Sequence, residues 1–213
     1  MKKLTIISSL AAIPVAAFIA TTLSVAMVSC NSNSAASAPA TDTASATPGK
    51  AGLIKKGEYL VTTMGCNDCH SPKRIGPNGP ENIPELMLGG HPGSIPAPFS
   101  AKATDTALTR AYLVASPTFT SFSGAWGISF AANITSDPTG IGGWTLDRFS
   151  KALREGKYHG LEGTRPLLPP MPWFNYIKLK DADLEAIFAY LQSVPPVKNQ
   201  VPQPQPPAPL AQK

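Results

Sequence analysis

Cys66-Asn67-Asp68-Cys69-His70 is the stretch on which the reading of this 213-residue chain turns. It fits C-x-x-C-H, the pattern that attaches a c-type haem. Two thiols can add to the two vinyl groups of one macrocycle, and two intervening residues let them reach both edges. A histidine directly after the second cysteine is then carried under the ring as an iron ligand. Other readings of the same residues are weaker. Half a zinc site needs a second cysteine pair, and the chain has three cysteines in all. A thioredoxin-like redox pair expects a βαβ setting that the flanking sequence lacks. A plain disulfide leaves the adjacent histidine without a role. The expectation is one covalent haem c held by Cys66 and Cys69, with His70 on the iron.

Working outward, the residues before the motif predict a helix from about Ala51 to Met64, with Gly65 suited to a left-handed cap. Leu53, Ile54, Tyr59, Leu60 and Val61 can form its apolar face, and Gly57 weakens it. A second helix is expected to begin near Thr145 as N-cap, with Asp147 in the first turn, and to end at Gly156. Leu146, Phe149 and Leu153 recur on it at helical spacing. A third is expected from about Asp181 to Ser193, where Leu184, Ile187, Phe188 and Leu191 make an apolar stripe and Pro195 stops the helix. Between the first two lies a Gly/Pro-punctuated region, about residues 71–143. Within it a Thr118–Phe122 strand, a turn at Ser123-Gly124 and an alternation of Trp126, Ile128 and Phe130 suggest a small β-hairpin. No internal repeat is visible.

A six-coordinate iron needs a second axial ligand. Met171 sits in Leu168-Pro169-Pro170-Met171-Pro172-Trp173, where prolines fix φ and stiffen the loop. Methionine more often fills a core, but this proline cage favours Met171 over Met64 and Met87. His91, in Gly89-Gly90-His91-Pro92, and His159 are the remaining histidines, each an alternative ligand, a surface residue or a contact to a haem propionate. Trp144, Trp173 and Tyr176 are candidates to pack on the haem or to donate to a propionate, with core packing as the default.

The ends of the chain point to export. Lys2 and Lys3 precede a mostly apolar run from Leu4 to Val28, as in a signal segment. An uncleaved membrane anchor is the competing reading of that run. Met27-Val28-Ser29-Cys30 resembles a bacterial lipobox, which implies lipidation of Cys30 and a tether to a membrane. Asn31 after that cysteine slightly favours the outer membrane. Residues 31–49 are rich in Ser, Ala, Thr and Pro and read as a flexible tether. The Pro/Gln-rich end, with Pro202, Pro204 and Pro206, reads as an extended, solvated tail. The net charge of +5 includes the two leader lysines. No basic stripe is present, so nucleic acid is not expected as a partner. The organisation expected is a signal peptide over 1–29, a tether over 30–49, a folded domain over 50–196 and a tail over 197–213.

A helix leading into C-x-x-C-H, a late Pro-flanked methionine and a final helix ending Ala189-Tyr190-Leu191 resemble class I cytochrome c. More narrowly, Gly57-Glu58-Tyr59-Leu60-Val61, Asn133-Ile134-Thr135, Trp144, Ala152-Leu153-Arg154-Glu155-Gly156 and Pro170-Met171-Pro172 resemble cytochrome c domains of membrane-bound dehydrogenase cytochrome subunits. The resemblance covers roughly residues 50–195. It implies a mostly α fold with terminal helices packed crosswise beside the haem, His70/Met171 ligation, and a long insertion over 71–143. It also implies a proline carbonyl that accepts from the His70 imidazole, with Pro77 and Pro80 as candidates. Such relatives often carry several haem domains, whereas one attachment motif implies one haem here. The function implied is electron transfer rather than catalysis, between a dehydrogenase donor and an oxidase or cytochrome acceptor. The alternatives are a haem-based ligand-binding or peroxidase-like enzyme with a labile sixth ligand, and a lipoprotein whose haem is mainly structural.

Overall fold

A computed structural model describes residues 49–95 and 111–207. The signal segment, Cys30 and nearly all of the tether lie outside the described residues. The described part belongs to one compact unit, Ser45–Lys213. Among the described residues no helix is long and apolar enough to cross a membrane.

Among the described residues, four α-helices are delimited, each where local signals demand it. α1 spans Lys50–Thr63 and ends at Gly65, which adopts φ 73° in the left-handed region and starts α2, Cys66–His70. α3 spans Leu146–Glu155. The hydroxyl of Thr145 accepts from the Arg148 N–H at 3.2 Å, and Gly156 closes the helix at φ 64°. α4 spans Asp181–Leu191, with Asp181 and Asp183 near its positive N-terminal end. All three expected helices are present, with ends shifted by one or two residues, as helix ends commonly are.

α1 and α4 pack against each other over one core. Val61, Leu88, Ile141, Phe149, Leu184, Ile187 and Leu191 make up its buried centre. Gly57 is what permits the close approach of the two helices. A Cβ built there would lie 1.9 Å from the Ala186 carbonyl oxygen and 2.7 Å from Tyr190 Cβ. The glycine that lowers helix propensity in α1 is thus required by packing. Tyr59, expected on the apolar face, is 67% exposed. Gly57 and Val61 stand four apart on the buried face, and a residue midway between them points away from it. On α3, Phe149 and Ala152 are buried, while Leu146 turns outward.

Between α2 and α3 the chain builds two small antiparallel sheets. β1 (Lys73–Gly76) and β2 (Gly79–Asn82) form a hairpin around Pro77-Asn78. β3 (Val114–Ala115), β4 (Ser121–Gly124) and β5 (Gly127–Phe130) form a three-stranded sheet in that order. The expected hairpin exists, but its turn is Ala125-Trp126 rather than Ser123-Gly124. Gly124 and Gly127 face each other across the turn, and Trp126 leaves the strand so that its ring lies over Gly124. Gly127, at φ 95°, takes the backbone conformation this geometry needs.

The expectation of a solvated tail is corrected. Residues 197–205 lie across the molecule as a strap. Asn133 Nδ2 donates to the Val197 carbonyl at 2.7 Å, and the buried Thr135 hydroxyl accepts from the Val197 N–H at 3.1 Å. Asn199 Nδ2 donates to the carbonyls of Gly89 and His91 at 2.7 and 2.8 Å, and its Oδ1 accepts from Gly93 N–H at 2.9 Å. Further along, Ile128 and Gln205 exchange both backbone hydrogen bonds, at 2.8 and 2.9 Å. Proline density removes donors but not acceptors, and each of these carbonyls and amides finds a partner.

Candidate haem site

α2 presents the attachment motif as one short helix directly after the left-handed Gly65. Cys66 and Cys69 are both free thiols and only partly covered. Burial pushes the Cys66 thiol up to about 11, and Asp68 adds to the rise while a backbone hydrogen bond opposes it. Cys69 is raised by burial and Asp68, and the nearby Lys73 ammonium pulls it back.

Lys73 has a role that sequence reasoning missed. Its Nζ donates to the carbonyls of Asn67, Asp68 and Ser71 at 3.0, 2.7 and 3.0 Å. Carbonyls at a helix C-terminus lack the full set of intrahelical partners, and although the Asn67 carbonyl also accepts from Ser71 N–H, the three ammonium protons together cap the end of α2. A lysine four residues past a C-x-x-C pair was the available signal.

His70 is 9% exposed and fixed at one nitrogen. Its Nδ1–H donates to the Ala132 carbonyl at 2.7 Å. This corrects the expectation of Pro77 or Pro80 as acceptor. Both prolines lie in the β1–β2 hairpin, where Pro80 pairs with Ile75. Burial holds the imidazole below the ordinary histidine range, partly offset by the bond to Ala132. A neutral ring with Nδ1 anchored leaves Nε2 as the lone-pair donor, and Nε2 makes no hydrogen bond among the described residues.

The segment that carries Ala132 is itself locked to α2. Gly90 N–H donates to the His70 carbonyl at 2.8 Å, and His91 N–H to the Ala131 carbonyl at 2.9 Å. Ser71 Oγ accepts from Leu88 N–H at 2.9 Å, and the Leu88 carbonyl accepts from Ile134 N–H at 2.9 Å. Gly90 sits at φ 75°, and a Cβ there would stand 2.5 Å from the Ala132 carbonyl carbon.

His91 is fully buried and committed at both nitrogens. Nε2–H donates to the Ile95 carbonyl at 3.1 Å, so Nδ1 accepts from the Thr120 hydroxyl at 2.9 Å. That arrangement removes His91 as a ligand in this structure. His159 is exposed instead, with its ring 4.0 Å from that of Tyr158 and 5.8 Å from that of Trp144. Met64 packs against the core, the ordinary role of a methionine.

Met171 is half-buried in the loop between α3 and α4, and its N–H donates to Leu168 O at 3.2 Å. Two contacts define that loop. Trp173 lies over Gly156, where a Cβ would meet the indole at 2.5 Å. Tyr176, at the end of this loop, is raised above the ordinary phenol range first by burial and then by Cys66 and Cys69. Two thiols on one short helix and a histidine whose Nε2 makes no hydrogen bond among the described residues suit a covalently attached haem.

Comparisons with known proteins agree. The family described as Cytochrome c matches residues 54–195. The fructose dehydrogenase cytochrome subunit of Gluconobacter japonicus is 30% identical over 161 residues, 74% of this chain and 25% of that protein. The gluconate 2-dehydrogenase cytochrome c subunit of Pantoea cypripedii is 30% identical over 147 residues, 68% and 24% of the two chains. One of the nicotinate dehydrogenase subunits of Pseudomonas putida is 41% identical over 78 residues, 36% and 6%. The chain spans about a quarter or less of the length of these relatives. With its helices, small antiparallel strands, attachment motif and these likenesses, this chain belongs to the cytochrome c family and carries a covalently bound haem c.

Proposed function

We propose that this chain is a single-haem electron carrier of the class I kind, with His70 and Met171 as axial ligands and Cys66 and Cys69 as the attachment thiols. The observation that carries the reading is the His70 ring, anchored through Nδ1 to Ala132 at 2.7 Å with Nε2 left over. When bound, the haem supplies an iron that alternates between ferric and ferrous states. The residues do the rest. The Ala132 carbonyl orients the imidazole and raises its basicity as a ligand. The thioether of Met171 is a soft ligand that favours the ferrous state. His70 and Met171 would both hold the iron and leave no side of it for a substrate, so the chemistry the group would supply is electron exchange with a protein partner. Residues 71–143 act as an insertion between the two ligand-bearing segments. The donor fits a dehydrogenase, because the relatives are named as dehydrogenase cytochrome subunits. The acceptor is an oxidase or another cytochrome.

The leader reading places the chain on the exported side of a bacterial envelope, tethered by lipid on Cys30, with the outer membrane favoured. Radiolabelled palmitate incorporated by the parent and lost in Cys30→Ala is the outcome expected.

The visible spectrum of the purified haem-loaded protein, oxidised and reduced, with and without carbon monoxide, tests the central reading. A sharp reduced c-type spectrum indifferent to carbon monoxide is expected. A carbon monoxide shift would replace electron transfer by the ligand-binding or peroxidase-like alternative.

A further inference from the structure

The hairpin β4–β5 touches the methionine loop at one polar point. Ser129, 6% exposed on β5, donates its hydroxyl proton to the Pro169 carbonyl at 2.5 Å. The same oxygen accepts from the Trp126 indole N–H at 3.1 Å. The contact to the Phe122 carbonyl is long, at 3.5 Å, so the serine proton points to Pro169. The indole is held in turn, because its ring lies against Gly124, where a Cβ would meet it at 2.3 Å. β5 is braced from the other side by the strap, through the two Ile128–Gln205 hydrogen bonds. Pro169 stands two residues before Met171, and Pro170 and Pro172 restrict the backbone between and beyond. Displacing the Pro169 carbonyl therefore moves the methionine backbone with little slack.

We propose that Ser129 and Trp126 are positioning residues that hold Met171 at the iron through the carbonyl of Pro169. The inference rests on Met171 being the sixth ligand. A hydrogen bond in a chain of three polar groups is polarised by its neighbour, so Trp126 strengthens the bond that Ser129 makes. Neither side chain hydrogen-bonds to Met171 among the described residues. Their effect is on the balance between a bound and a released thioether.

The test uses the haem-loaded full chain in the ferric state and reads the sulfur-to-iron charge-transfer band during titration with imidazole, which competes with methionine. Ser129→Ala is expected to bind imidazole roughly three- to tenfold more tightly than the parent, the net worth of about one hydrogen bond. Trp126→Phe keeps the ring but removes the donor, and a smaller increase in the same direction is expected. Ser129→Thr, which keeps the hydroxyl, should restore most of the parent affinity. Met171→Ala separates the two ideas. If that variant keeps the charge-transfer band, the ligand assignment fails and the inference falls with it. If it loses the band while Ser129→Ala titrates like the parent, the ligand assignment stands and the positioning role is overturned. Should Ser129→Ala fail to accumulate, an imidazole affinity in Trp126→Phe equal to the parent's overturns the proposal on its own.

Discussion

The surroundings of His70 and those of Met171 are built in opposite ways. Around His70, three distant segments exchange backbone hydrogen bonds, and the imidazole adds one of its own to Ala132. Around Met171 the chain is mostly irregular apart from a 3₁₀ turn at Trp173–Asn175, and the loop is held by the Leu167 N–H on the Gly156 carbonyl, by the Ser129 hydroxyl on Pro169, by Trp173 over Gly156 and by its prolines. On the proposed ligation, the His70 side is fixed by a network and by its covalent neighbours at Cys66 and Cys69, and the Met171 side rests on fewer, separate contacts. On that reading the methionine side is expected to let go first under stress, with haem still attached and His70 still in place.

The contrast can be broken most completely at the motif. A Cys66→Ala, Cys69→Ala double variant should show no haem staining on a denaturing gel, because no covalent link remains. Next in size is Gly90→Val. Its side chain would drive into the Ala131–Asn133 backbone from a left-handed position, and a loss of about 3 kcal/mol in denaturant unfolding is expected. A result near zero would mean that the His70 side is as loose as the methionine side. Asn199→Ala removes three hydrogen bonds that tie the strap to residues 89–93, and about 2–3 kcal/mol is expected by the same measurement.

A pH series sharpens the comparison further. His91 is held neutral in the folded state, below its ordinary value, first by burial and against the pull of the Ile95 carbonyl. An unfolded chain binds that proton more readily, so the stability due to neutral His91 is complete above about pH 6.5. It declines as pH falls through that value and levels off below the depressed folded one. His91→Gln should flatten this acid limb of the stability curve, and an unchanged slope would assign the limb to other groups. The smallest effect belongs to Thr145→Ala. Loss of the cap on α3, the helix that leads to Gly156 and Trp173, should cost about 1 kcal/mol.

What the sequence made readable is what is local. The C-x-x-C-H motif, the left-handed glycines at 65 and 156, the Thr145 cap and the α4 stripe each declare themselves within a few residues. The hairpin was readable in kind but not in register, because Trp126 fits a strand pattern by hydrophobicity while its indole serves the turn. The acceptor for His70 was not readable. It is a backbone carbonyl 62 positions away, and a carbonyl has no residue signature. The strap was hidden for the same reason. Pro- and Gln-rich composition describes what a segment lacks for core building, whereas its docking depends on Asn133, Thr135 and Asn199 meeting backbone groups far along the chain. In the sequence Asn133-Ile134-Thr135 stands out only as a likeness, and the structure gives it work as the strap's anchor.

The reach of these contacts bears on the order of assembly. Attachment needs only the five residues of α2, which can meet a haem while the chain is still open. The bond that orients the His70 ring is non-local, as are those that lock its segment to residues 88–91, and the tie between Asn199 and Gly89 closes a separation of 110 positions. Such closures are entropically expensive and slow to form. Loading before closure would let the attached macrocycle offer a large apolar surface on which the distant segments condense. An unloaded chain would have to close the same loops without that surface, which makes the cofactor a participant in folding as well as a passenger of the finished protein.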